Sequence, residues 1–164
     1  MSLIFRLCGR SRRGMLLISA VLLIGVAGPA SAAGIATLVH ARQDHFRMLG
    51  RTAKSLREQM WRSAPDWSIV ARDAGQIQSL AKALPTWFPA GSGKGHGVKT
   101  KARAVIWTEP KAFAQAAQLL LNRAQDLTQA ATSHNVRALR VRERALGQAC
   151  GSCHRHFRAR RSWW

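Results

Sequence analysis

The chain has 164 residues, enough for one domain and few enough to argue against several. It carries 26 Lys and Arg against 7 Asp and Glu, a formal charge of +19. Such a charge keeps a protein soluble and favours acidic partners or anionic membrane surfaces over basic ones.

The N-terminal stretch reads as a targeting segment. Arg6, Arg10, Arg12 and Arg13 form a basic start, Met15 to Val26 an apolar core, and Ala30-Ser31-Ala32 a small-residue cleavage signal. The expected division is a cleaved signal peptide over 1–32 and a mature domain over 33–164. An uncleaved anchor is the alternative, but spanning a bilayer takes about 20 apolar residues and this core is shorter. Ser11-Arg12-Arg13-Gly14-Met15-Leu16-Leu17 looks like a twin-arginine signal, but that pathway exports folded proteins, and the general secretory route, which takes unfolded chains, is the one expected. Cys8 lies upstream of the apolar core, away from any lipid-attachment position, and leaves with the peptide. The first 32 residues hold four arginines and no acid, so the remainder keeps a charge of +15. Export to the periplasm makes nucleic acid an unlikely target for that charge. The alternatives are a solvated basic surface and a dedicated acidic partner.

Four segments follow with apolar seams at alternating spacings of three and four, the mark of amphipathic helices. The first seam runs Ile35, Val39, Arg42, Phe46, Leu49, Ala53, Leu56, Met60. The second runs Trp67, Val70, Ala74, Ile77, Ala81, Leu84, with Asp66 as its cap and Pro85 as its stop. The third runs Phe113, Ala117, Leu120, Ala124, Leu127, Ala131, with Thr108 as cap and Pro110 in the first turn. The fourth follows Ser133 or Asn135 and runs Leu139, Leu146, Cys150, Cys153, Phe157, with Glu143 out of place on the same stripe. Connections near 61–65 and 132–135 are short and make their neighbours antiparallel. The stretch from Pro85 to Trp107 is long and glycine-rich, and is expected to be a non-helical crossover running along the bundle. Its glycines do not make a phosphate loop, since no strand precedes them and no Lys-Ser or Lys-Thr follows. The fold class is all-α, an antiparallel four-helix bundle with one long crossover loop.

Cys150-Gly151-Ser152-Cys153-His154 is the most specific motif. Cys-x-x-Cys-His is a c-type haem attachment site. The two thiols add to the haem vinyl groups as thioethers, and the imidazole of His154 coordinates the iron. One motif implies one covalent haem c. A redox dithiol would call for a βαβ context, which is absent. A structural zinc site would call for a second ligand pair, also absent. The tail after His154 concentrates basic residues and ends in Trp163-Trp164, a candidate membrane-surface or partner contact.

Arg42 is a charge on an apolar seam, where it must meet an anion or reach water. A haem propionate suits a guanidinium fork; snorkelling to solvent is the alternative. Phe46 lies one turn on, on the same face. If Arg42 meets a propionate, Phe46 faces the porphyrin opposite His154 and offers the iron no lone pair. His45 and Met48 are the nearest candidates for a sixth ligand, and both lie off the seam.

The chain resembles the cytochrome c′ family, the class II c-type cytochromes. The resemblance rests on Arg42-Gln43-x-x-Phe46, on Leu84-Pro85-x-x-Phe88-Pro89-x-Gly91-Ser92-x-Lys94-Gly95, and on Thr100-Lys101-Ala102-Arg103. It continues through Ile106-Trp107 and Phe113 to a haem motif near the C-terminus, followed by Phe157-Arg158. It implies His154 as axial iron ligand and a homodimer. It places Arg42, Gln43 and, more weakly, Thr100 and Lys101 on the propionate side, and Arg158 beside the proximal imidazole. Relatives with Met at the position of Phe46 can be six-coordinate and low-spin; Phe46 favours a five-coordinate, high-spin iron. Val105, Gly93, Arg155 and His156 stand where acids are common in the family.

Three functions compete on this reading. The first is a periplasmic haem protein, not an enzyme, that binds nitric oxide and carbon monoxide and transfers electrons to a periplasmic, acidic redox partner. The second is a plain electron-transfer cytochrome with a low-spin haem. The third is a peroxidase-like catalyst, which needs a distal acid–base group that the Phe46 seam does not offer.

Overall fold

The computed structural model describes residues 32–160 other than His96. The expected signal peptide with Cys8, and Trp163-Trp164, lie outside the described residues, except that Ala32 is the first residue of α1. Four long helices carry the fold: α1 (Ala32–Gln59), α2 (Trp67–Ala83), α4 (Pro110–Thr132) and α5 (Val136–Phe157), with a one-turn α3 (Val105–Thr108) before α4. Among the described residues no helix is long and apolar enough to cross a membrane.

The helix ends follow from local chemistry. Asp66 caps α2, its carboxylate accepting from the Ser68 and Ile69 amides. Asn135, not Ser133, caps α5 by accepting from Ala138 N–H. Ser133 instead closes α4, donating its hydroxyl to Ala130 O. The expected Thr108 cap is corrected. Thr108 is the last residue of α3, and Glu109 takes the cap position of α4 without a side-chain bond. The amides of Thr108 and Glu109 bond back to Ala104 O and Val105 O, so that chain is still closing α3.

The core follows the predicted seams. Val39, Leu56, Val70, Ala74, Ile77, Ala81, Leu127 and Leu139 are almost wholly buried. α1 packs on α2, α2 on α4, and α4 on α5, whereas α1 and α5 are not packed along their length. They meet near the end that holds the two short connections. There Glu143 accepts from Arg57 Nε at 2.9 Å and Nη2 at 2.6 Å, and Arg140 donates to Met60 O. Glu143 therefore belongs on its stripe: it is the polar bond across a seam that is otherwise apolar.

The long connection corrects two expectations. It is not wholly irregular, since Leu84–Trp87 forms a 3₁₀ turn after α2 and α3 precedes α4. Nor does it run along the bundle. α2 ends and α4 begins at the same end, where Phe88 stacks edge-on against Phe113 at 4.9 Å and Phe113 against Phe157 at 5.2 Å. The connection folds over that end and touches every long helix. Neighbouring helices need only a short link, so the extra residues serve this end of the bundle. Gly91, with φ +78°, makes a turn that side chains resist. A Cβ at Gly93 would stand 3.4 Å from the Trp107 ring.

Candidate haem site

The site is assembled at the end closed by the long connection. α5 supplies Cys150 and Cys153 within its last two turns, both half-buried, and His154 next to them. Across the unpacked α1–α5 seam, α1 presents Phe46, Leu49 and Ala53, all partly buried and apolar. A strip of half-covered apolar side chains facing two unpaired thiols calls for a flat apolar group to cover it.

Arg42 tests the fit more sharply. It is 3% exposed, and all its bonds go to neutral oxygens of the long connection. Nη1 donates to Ser92 Oγ at 3.0 Å and to Trp87 O at 3.4 Å. Nη2 donates to Ser92 O and Thr100 Oγ1, each at 3.0 Å. Its guanidinium carbon lies 4.6 Å from the Phe88 ring centroid. No carboxylate partners it among the described residues, and burial pushes its pKa down. A buried cation held by neutral acceptors is a ready counter-charge for a carboxylate-bearing ligand.

The other sequence-predicted residues gather around it. Gln43 donates to Lys99 O at 2.9 Å. Thr100 accepts from both Arg42 and the Ala102 amide. Lys101 O accepts from Ala159 N–H at 2.8 Å, and Arg103 N–H donates to Phe157 O at 3.0 Å. These bonds flank an isolated bridge between Ala102 and Arg158, which ties the Thr100–Arg103 run to the end of α5. One rim thus joins Arg42, Gln43, Thr100, Lys101 and Arg158.

Ser92 is what sequence reasoning left without a role. It is fully buried and is the hub of the Arg42 clamp, donating its hydroxyl to Pro89 O at 2.8 Å. The signal was available: a charge on an apolar seam needs acceptors, and a serine in a glycine-rich run is one. The aromatic wall of Trp87, Phe88, Phe113 and Phe157 was likewise visible only as separate letters.

Phe46 stands edge-on to Trp87 at 5.2 Å and to Phe88 at 6.1 Å. His45 touches the same indole. It stacks on Trp87 with centroids 4.7 Å apart and lines a groove between α1 and α2 with Leu38, Ala41, Ala83 and Thr86. Met48 lies on the outer face of α1.

The thiols argue against dithiol chemistry. Burial raises the pKa of Cys150, helped by Glu143, and burial raises that of Cys153, helped by Cys150. The pair sits at the negative, C-terminal end of a helix, the opposite of the setting that makes a thiolate. Nor do the described residues hold a cluster of three His, Cys, Asp or Glu able to bind a metal ion. His154 is exposed; desolvation, and then Arg158, push its pKa down, the direction that favours a neutral imidazole with a free lone pair.

The family model for Cytochrome C′ matches residues 37–158, from the first seam to the residue after the last helix. The chain belongs to the cytochrome c′ family. Members of this family bind one covalently attached haem c, and here Cys150 and Cys153 fit the Cys-x-x-Cys-His motif. The cytochrome c′ of Rhodospirillum rubrum is 36% identical over 90 residues, 54% of this chain and 59% of that protein. The chain spans about three fifths of the length of the first curated relatives it matches. A cytochrome c′ solved in a study of ligand-controlled dimer dissociation superposes with a TM-score of 0.74 at 20% identity, covering 81% of this chain and 100% of that one. A variant of the cytochrome c′ from Alcaligenes xylosoxidans, solved ferrous with bound NO, superposes with a TM-score of 0.70 at 20% identity, covering 82% and 100%. At these identities both establish the cytochrome c′ fold and nothing narrower.

Proposed function

We propose that this cytochrome c′ is a periplasmic haem protein whose iron is five-coordinate and high-spin and takes up nitric oxide, with carbon monoxide as a second ligand. The observation that carries the reading is the surroundings of Phe46. The seam opposite the haem motif is lined by Phe46, Leu49 and Ala53, while the nearest nitrogen and sulfur donors are placed off it, His45 in the α1–α2 groove and Met48 on the outer face of α1.

His154 would hold the iron from the α5 side, and Cys150 and Cys153 would anchor the haem as thioethers. Arg42, Gln43, Thr100 and Lys101 form the propionate side, and Arg158 the proximal side. The bound haem supplies an iron centre that accepts a small gas and exchanges one electron. The chain's own residues orient the group, wall off its outer face with apolar side chains and provide the buried cation of Arg42. An apolar wall without hydrogen-bond donors disfavours polar ligands. Support comes also from a similar fold solved with NO bound, and from one whose dimer responds to ligand. The apolar groove between α1 and α2 suits a homodimer contact. Export through the 1–32 segment, a carrier role without catalysis and an acidic redox partner complete the proposal.

The test is an absorption spectrum of the purified reduced protein with and without nitric oxide. A high-spin ferrous spectrum that shifts on adding the gas is expected. A sharp low-spin spectrum at neutral pH overturns the reading and leaves the plain electron carrier. Phe46→Met is expected to move the spectrum toward low spin; an unchanged spectrum means Phe46 does not face the iron.

A further inference from the structure

The end of the bundle away from the haem motif carries a second surface that the haem function does not use. It is built from the turn after α1 and the first turns of α5. Trp61 in that turn is 77% exposed, the one exposed aromatic among the large hydrophobics of the described residues. Arg140 reaches across from α5, donates to Met60 O and holds its guanidinium 5.3 Å from the Trp61 ring centroid. Arg137 lies one turn before Arg140 on the same helix, and Arg62 follows Trp61; both are exposed. Beside them Trp67 stacks on His134, whose φ of +50° turns the α4–α5 connection toward it.

The carboxylates of this end are already engaged. Asp66 caps α2 with Arg62 nearby, Glu143 is bonded by Arg57, Asp126 pairs with Arg123 and Arg142, and Glu58 pairs with Lys54. What is left outward is an indole flanked by guanidinium groups. An indole settles at the level of lipid headgroups, and arginines beside it pair with phosphate in a two-pronged fashion.

We propose that this tip docks the protein on anionic phospholipid, with Trp61 in the interface and Arg62, Arg137 and Arg140 on the phosphates. This places the membrane contact on the opposite end of the bundle from Cys150, Cys153 and His154. Docking by this tip leaves the haem end pointing away from the bilayer, free for gas and redox partner.

The experiment is co-sedimentation of the haem-loaded protein with vesicles of phosphatidylglycerol and phosphatidylcholine, against vesicles of phosphatidylcholine alone. Binding to the first and not the second is expected, weakening as salt rises. Trp61→Ala and the pair Arg137→Gln/Arg140→Gln are each expected to weaken it, by roughly fivefold per arginine. Lys82→Gln/Lys111→Gln, at the haem end, and removal of residues 161–164 are expected to leave most of it. Circular dichroism and the haem spectrum report that each variant is folded. Unchanged binding in Trp61→Ala, or loss of binding in either of the latter two variants, overturns the proposal. So does binding that acidic polyglutamate removes equally from the parent and from Trp61→Ala, since that marks a purely electrostatic contact of the kind an acidic protein makes.

Discussion

Arg42 shows how one residue can hold a site together before any ligand is considered. Its guanidinium joins α1 to Trp87, Ser92 and Thr100, three points along the long connection. Removing it leaves the buried Ser92 carbonyl and hydroxyl without that donor, and unmet buried polar groups are costly. Arg42→Met is therefore expected to lower stability by about 2–4 kcal/mol, read from the urea midpoint at unchanged slope. The expectation of a propionate partner rested on the same logic from the other side. A charge on an apolar seam must be answered, and the protein answers it with neutral oxygens while leaving room in the electrostatics for an anion. Ser92→Ala is expected to cost less than Arg42→Met, because Arg42 keeps its bonds to Ser92 O and Thr100.

Among the elements, α2 has the clearest start. The Asp66 carboxylate accepts from the Ser68 hydroxyl and from the Ser68 and Ile69 amides, which lower its pKa. A carboxylate with a depressed folded-state pKa stabilises the fold above its unfolded value near 3.9 and loses that contribution as pH falls through the folded value. Asp66→Ala is expected to lower Tm at pH 7, while Asp66→Asn keeps most of the cap and loses its share of the acid sensitivity. Thermal melts from pH 6 down to pH 2.5 distinguish the three proteins. The Arg57–Glu143 bond between α1 and α5 is a different case. Arg57 is about half exposed although Glu143 is only 14% exposed, and glutamine keeps an oxygen that accepts from Arg57, so Glu143→Gln is expected to cost about 1 kcal/mol, shrinking in high salt.

On the scale of the whole molecule, three seams of the bundle are closed by protein and the fourth is lined by Phe46, Leu49, Ala53, Cys150 and Cys153. The α2–α4–α5 core does not depend on what covers that seam. A Cys150→Ala/Cys153→Ala protein, unable to attach haem, is expected to keep most of its helical circular dichroism. It is also expected to melt at lower temperature and to bind a hydrophobic dye along the α1–α5 face. Loss of nearly all helix would mean that the haem organises the bundle rather than completing it. The charge belongs to this scale too. With seven acids in the chain and most of them paired or capping, the basic surplus is spread over both ends. Five of the seven acids, Glu58, Asp66, Asp73, Asp126 and Glu143, lie in the Trp61 half of the helices, so the haem end is the more basic and the Trp61 end is set apart by its exposed indole.

The sequence by itself determined the helices, most of their caps and the haem. Each of these is written in near neighbours: seams at three-to-four spacing, Asp66 and Asn135 ahead of their helices, and two cysteines and a histidine within five residues. Even the resemblance to cytochrome c′ rested on such short runs. What only the tertiary structure decided involves residues far apart in the chain. It answered Arg42 with Ser92 and Thr100, and explained the misplaced Glu143 by Arg57. It withdrew the Thr108 cap because the chain there is still closing α3. It turned the long connection from a strut along the bundle into a lid over one end. The physical reason is the same in each case: a helix records its own face locally, but a polar group's partner is chosen by packing, and packing brings together positions that no spacing rule connects.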